Sequence, residues 1–261
     1  RQVYKGLDLG TGKVTEEEME GVPHHMLDVV EPNQPYSVAD FQAGAYAAID
    51  DILARGRTPF LVGGTGLYVR AVTEGFTFTD ARPDPALRAE LEGKTTEELY
   101  ALLREKTGVT LTGGEENNRH RLMRSVEKAL SGRWESPPPC PRYDCLLLGV
   151  TFPREEVCRR IDARLQARID AGMLDEVAEL RANGATDEFL EGLGLEYRYI
   201  LRYLTGQIPT LDGLKDELGR AIKRFAKRQM VWFKKDRDVL WLDMEGDFLT
   251  QAVRAVEGFL A

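Results

Sequence analysis

The chain has 261 residues, 43% of them hydrophobic, and a formal net charge of −8. That length suits one large domain or a domain carrying an insertion, with enough apolar material for a sizeable core. No apolar run approaches the roughly 18 to 20 residues of a membrane span, no charged-then-apolar leader opens the sequence, and three unevenly spaced cysteines fit neither a disulfide framework nor a zinc site, pointing to a reducing, cytoplasmic setting.

The first stretch, RQVYKGLDLGTGKV (1–14), contains a Gly-Lys pair at Gly12-Lys13. A phosphate-gripping loop needs another glycine five positions before that pair and a hydroxyl after it. Leu7 and Val14 occupy those positions, and no apolar strand precedes the stretch. It reads as a glycine-rich turn. His24 and His25 are adjacent, so on a strand they face opposite sides, which disfavours shared metal ligation.

Residues 37–56 read as a helix, with Ser37 and Asp40 as a capping box and Gly56 as the stop. TPFLV (58–62) reads as a buried parallel strand. GGTG (63–66) follows at once and leads into a helix, LYVRAV. A glycine turn between strand and helix lets backbone N–H groups approach an anion or a base. From about residue 80 the strands stop. Helical spacing runs through 80–108 and 115–132, and SPPPCP (136–141) is a stiff connector. YDCLLLGV (143–150) restores strand character. Two helices broken near Gly172, a long helix over 211–236, a last strand at 239–243 and a closing helix follow. The alternation at both ends predicts an α/β core, discontinuous over 1–79 and 144–261, with an all-helical insertion at 80–143.

Charge is polarised along the chain. Residues 220–237 hold eight Arg or Lys and one Asp, and NRHRLMR (118–124) holds three Arg. In the former, Ile222, Phe225, Ala226, Gln229, Met230 and Phe233 share one face, with cations around the others. So few acids beside so many cations favour a polyanion partner over a merely solvated face. Arg160, Arg164 and Arg168 recur every four residues and line one helix face, where they repel each other unless acids such as Glu156 and Asp170, or a bound anion, lie near.

Taken in order, RQVYKGLDLGTGK, VPHHMLDVVEP, YSVADF, VGGTGLYVRA, NNRHRLMRSVEKAL, RIDARLQARIDAGMLDEV, GLGLEYRY and KRQMVWFKKD resemble the tRNA dimethylallyltransferases, also called isopentenyl-tRNA transferases. The resemblance implies an α/β, P-loop-NTPase-like parallel sheet core whose helical insertion contacts the tRNA anticodon stem-loop. It implies transfer of a dimethylallyl group from dimethylallyl diphosphate to N6 of the adenosine just 3′ of the anticodon, with Mg²⁺ as cofactor and no protein metal centre of its own. A cytoplasmic monomer without membrane association is expected. By this resemblance Arg164 contacts the diphosphate. Arg1, Gln2, Thr65, Arg88, Arg121, Arg124, Lys227, Arg228 and Gln229 fall on tRNA-contacting stretches. Glu196 stands in GLEYR where the family more often has glycine before the tyrosine, which puts a backbone contact to RNA there in question. In the family a true P-loop and an Asp serving as general base precede the stretch that opens this sequence. The alternatives are a small-molecule kinase of similar build and an inactive RNA-binding fragment.

Overall fold

A computed structural model describes residues 1–78, 84–111, 117–132 and 137–261. The expected helical starts at 80–83 and 115–116, and Ser136 of the connector, lie outside them. Helices begin where the sequence supplies caps. Ser37 and Asp40 close the capping box at the head of α1 (Val38–Ala54). The GGTG turn runs directly into α2 (Gly66–Thr73). Stacked Phe41 and Tyr68 rings, 4.4 Å apart, join the two helices, as does a 2.6 Å bond from Gln42 to the Ala71 carbonyl.

Among the described residues the sheet has two parallel strands, β1 (Leu148–Thr151) and β2 (Leu240–Asp243), with Leu148 opposite Leu240. β1 is shorter than the expected 143–150. The strand expected at 58–62 does not form. That segment has no regular structure and enters no ladder, and Phe60 and Val62 are 73% and 89% exposed. Its apolar run matched a buried strand, but an apolar run becomes a strand only where another strand pairs with it.

Instead, the main core lies among helices: α6 (Arg154–Asp170), α7 (Met173–Ala182), α8 (Asp187–Leu193), α9 (Leu195–Leu204) and α10 (Leu211–Phe233). Ile161, Leu165, Val177, Leu190, Tyr197, Ile200, Leu214 and Leu218 pack there, and Leu7 of the opening loop joins them. Gly172, at φ +96°, makes the break between α6 and α7. The closing helix, α11 (Phe248–Leu260), follows β2.

The chain divides into two compact units, residues 1–73 with 143–261, and residues 74–142. In the second, α3 (Pro85–Glu92), α4 (Thr96–Thr107) and α5 (Arg119–Leu130) surround Leu91, Leu99, Leu103, Leu122 and Val126. Thr95 and Glu98 form a capping box for α4, and left-handed Gly108 ends it.

Candidate functional site

The glycine-rich opening loop is folded around a carboxylate from its own chain. Glu176, in the first turn of α7, accepts the backbone N–H groups of Asp8 (3.0 Å), Leu9 (2.6 Å) and Gly10 (3.0 Å). It also accepts the hydroxyl of fully buried Tyr197 at 2.9 Å. The loop is therefore an anion nest, and the anion is internal. Burial, more than the neighbouring Glu176, pushes the Tyr197 phenol up. Gly10 is required because a Cβ there would lie 2.6 Å from the Tyr197 ring. Lys13 is drawn inward onto the Tyr4 carbonyl (3.0 Å), Asp8 (2.6 Å) and Asp28. Its charge neutralises the loop's own acids.

This loop sets its neighbours. The Gln2 amide donates to the Gly12 carbonyl at 3.0 Å. The Arg168 guanidinium lies over Gly12, whose missing Cβ would fall 1.7 Å from Arg168 Nη2. Burial, then repulsion from Arg164, lowers the Arg168 pKa. Arg164 is exposed one turn earlier on α6. Neither Arg164 nor Arg168 has a hydrogen-bonded carboxylate among the described residues. Arg160, the third of the expected stripe, is instead paired with Glu156 at 2.6 Å.

An open cleft of about 720 Å³ lies between the GGTG turn, the start of α9 and the second half of α10. Tyr68, Tyr199, Phe225, Trp232 and Phe233 supply aromatic faces to it, and Arg1, Arg198, Arg224 and Arg228 supply charge. Two side chains of α10 hold the turn. Gln229 Nε2 donates to the Gly64 carbonyl at 2.8 Å, and the Trp232 ring sits where a Gly66 Cβ would lie, 2.2 Å away. Gly66 is thus needed for close approach, while at Gly64 the end of the Gln229 side chain could give way. Across the cleft, Gly194 and Leu195 have positive φ. Glu196 then turns inward, 6% exposed, to meet Arg1 at 2.8 Å. The residue that departs from the family pattern is an interior partner for Arg1.

The cleft brings together Arg1, Thr65, Arg228 and Gln229. Gln2 and Arg164 do not line it; they belong to the opening loop and to the exposed face of α6. Lys227 is exposed on α10 beside Arg228. In the second unit, Arg88 and Arg124 converge on one buried carboxylate, Glu127, and Arg121 is exposed on the same helix as Arg124. Sequence reasoning passed over Arg198 as a cleft residue and Glu127 as an anchor. For Arg198, its place directly after the glycine-containing GLEY stretch was the available signal. For Glu127 the i,i+3 spacing from Arg124 was readable, but its Arg88 partner, 39 residues away, was not. No three His, Cys, Asp or Glu side chains among the described residues converge into a cation site, and no described helix is long and apolar enough to cross a membrane.

A family model described as IPP transferase matches residues 2–236. A tRNA dimethylallyltransferase of Symbiobacterium thermophilum is 41% identical over 94% of this chain and 79% of its own length. One from Thermobifida fusca is 40% identical over 98% of this chain and 82% of its own. The solved structure of a tRNA isopentenylpyrophosphate transferase from Bacillus halodurans superposes with a TM-score of 0.71 at 35% identity, covering 99% of this chain and 84% of that one. A eukaryotic dimethylallyltransferase acting on tRNA has a TM-score of 0.78 at 23% identity over 98% of this chain and 70% of that one, a likeness of fold.

Proposed function

The chain belongs to the IPP transferase family, and on that premise we propose that it transfers a dimethylallyl group from dimethylallyl diphosphate to N6 of the adenosine just 3′ of the anticodon in tRNA. The observation that carries this reading is the cleft, where a glycine turn and aromatic faces occur together with Arg224 and Arg228, whose guanidinium groups have no carboxylate partner among the described residues. A base swung out of an anticodon loop needs π faces to stack on, and its flanking phosphates need cations. Swinging it out costs a few kcal/mol, less from a loop than from a duplex. Arg224, Lys227 and Arg228, which have no carboxylate partner among the described residues, can offset that cost through phosphate contacts.

The chemistry leans on the electrophile, because the N6 lone pair is delocalised into the purine ring. The allylic C–O bond breaks and its electron pair leaves on the diphosphate. N6 forms the new C–N bond and gives up a proton, which water or the released diphosphate takes up. Negative charge grows on the departing oxygens, so donors aimed there lower the barrier, each by about 3–4 kcal/mol. Arg164 takes that role in this reading, with Arg168 one turn behind it, a pair of like charges that an anion between them would relieve. The described residues gather no cluster of three His, Cys, Asp or Glu side chains, so a magnesium ion would take most of its oxygens from the diphosphate and water.

The finer architecture belongs to the same proposal: a P-loop-NTPase-like core, and the helical unit at the anticodon stem-loop in a cytoplasmic monomer. Transfer of label from dimethylallyl diphosphate to an anticodon stem-loop is the test, paired with filter binding of the same RNA. Label on N6 is the expected result, and Arg164→Ala lowers its rate by on the order of a hundredfold or more. RNA binding with no transfer would mark a binding fragment, and indifference to RNA at low salt would favour a small-molecule kinase.

A further inference from the structure

The cleft carries arginines of two kinds. On α10, Arg224 and Arg228 are exposed and have no carboxylate partner among the described residues, so they border it as net cations. Arg1 is different. Its Nη1 donates to Glu196 Oε2 at 2.8 Å and reaches the Gly194 carbonyl at 3.4 Å. The Arg1 side chain is 27% exposed and that of Glu196 8%. Nε and Nη2 of Arg1 have no hydrogen-bonded acceptor among the described residues. The remaining cleft arginine, Arg198, is committed to Glu191 at 3.1 Å.

The backbone explains the pairing. Gly194 and Leu195, at φ +73° and +40°, turn the chain into α9, and Glu196 in its first turn points inward. A buried carboxylate must keep a counter-ion. Among the described residues Arg1 is the cation hydrogen-bonded to it, whereas Arg168 feels its charge without such a bond and does not line the cleft. A guanidinium paired in this way has little net charge left for a phosphate. Its remaining N–H groups still lie in one plane with fixed directions. Such a group selects acceptors by geometry rather than by charge. A purine edge offers acceptors of that sort, uncharged ring nitrogens, and the aromatic faces of Tyr68, Tyr199 and Trp232 border the same cleft.

We infer that Arg1 is a specificity-determining residue that donates to an uncharged ring nitrogen of the purine in the cleft, and that Glu196 is its positioning residue, holding the guanidinium in place and cancelling its charge. This rests on the tRNA reading above. The labour of the cleft is then divided: Arg224 and Arg228 meet phosphates, and Arg1 reads the base.

The experiment measures affinity by fluorescence anisotropy, on the full chain, for two synthetic anticodon stem-loops over a salt series. One carries adenosine at the target position and the other an abasic nucleotide. The phosphates are the same in both. The change that a substitution makes on one loop, compared with the other, isolates the base contact, because the cost of extrusion cancels. Arg1→Lys keeps the ion pair with Glu196 and loses the planar fork. It should weaken binding of the adenosine loop on the order of tenfold, the scale of one lost charge-assisted contact, and leave the abasic loop and the log–log salt slope unchanged. Glu196→Gln leaves the Arg1 charge uncancelled. It should steepen the salt slope by about 0.7, tighten the abasic loop and narrow the ratio of adenosine to abasic affinity. A merely structural Glu196 would lower the melting temperature and leave slope and ratio alone, and that result would overturn the inference. So would an Arg1→Lys chain that binds the adenosine loop with wild-type affinity, or that loses equally on both loops, the mark of a phosphate contact. Where Glu196→Gln fails to fold, Arg1→Lys decides alone by those same outcomes. An unsubstituted chain that ignores both loops at low salt sinks the tRNA reading and this inference with it; one that binds them without the expected Arg1→Lys difference sinks this inference alone.

Discussion

Replacing Glu176 by alanine is the sharpest perturbation of the first unit. The carboxylate accepts three backbone N–H groups of the opening loop and the Tyr197 hydroxyl. Hydrogen bonds to a charged group contribute about 1.5–3 kcal/mol each, and a buried donor left alone costs about 1–3 kcal/mol. Asp8 is exposed and Leu9 half-buried, and their N–H groups recover water once the carboxylate is gone; buried Gly10 recovers less. Tyr197 cannot, because its side chain is fully buried. The net loss is therefore about 3–5 kcal/mol rather than the sum of four bonds. At about 2–4 °C per kcal/mol for a domain of this size, that lowers the melting temperature by about 6–20 °C. Urea unfolding followed by circular dichroism gives the free energy directly. Glu176→Gln should fall between, since its amide oxygen still accepts while its NH₂ opposes a donor. Combining Glu176→Ala with Tyr197→Phe should restore about 1 kcal/mol relative to additivity, because the orphaned hydroxyl is gone. A Glu176→Ala protein within 1 kcal/mol of the parent would refute the idea that an internal anion organises this loop.

Other outcomes follow from the same contacts. Gly66→Ala meets the rigid Trp232 ring and should disrupt the cleft, whereas Gly64→Ala meets only the movable end of Gln229 and should be milder; equal losses of stem-loop affinity would contradict the geometry. Arg228→Ala should weaken RNA binding and flatten its log–log salt slope by about 0.7–0.9, the value of one phosphate contact; an unchanged slope would remove Arg228 from the RNA path. Burial raises the Tyr197 phenol, and burial with nearby Tyr68 and Asp40 raises Tyr36 to about 12. The fold favours their protonated forms, so their contribution is whole below the unfolded value of about 10 and declines as pH rises through the folded values. Absorbance at 295 nm should then show tyrosines titrating late, and a single step near 10 would argue against it.

Local signals in the sequence were readable because local physics decides them. Ser37 with Asp40, Gly172 and the spacing of α10 fix caps, breaks and an amphipathic face within a few residues. Ile222 of that face is buried in the core, and Phe225, Gln229 and Phe233 line the cleft. Long-range decisions were not readable. TPFLV has strand composition, but pairing is a property of neighbours. The grip of Glu176 on residues 8–10 spans over 160 positions, and nothing in GLDLGTGK names which acid will fill its nest. Arg88 and Arg124 were expected as RNA contacts from the family pattern; the Arg124–Glu127 spacing is legible on one helix, but the reach of Arg88 to the same acid is not.

The unladdered run 58–62 has a practical side. The ribbon of backbone at 58–62 enters no sheet, and Phe60 and Val62 are among the most exposed apolar residues described. Such a ribbon is an adhesive template for a neighbouring molecule. In concentrated preparations, self-association should begin here, and a lysine in place of Val62 should keep the protein dispersed by setting charge against charge along that ribbon.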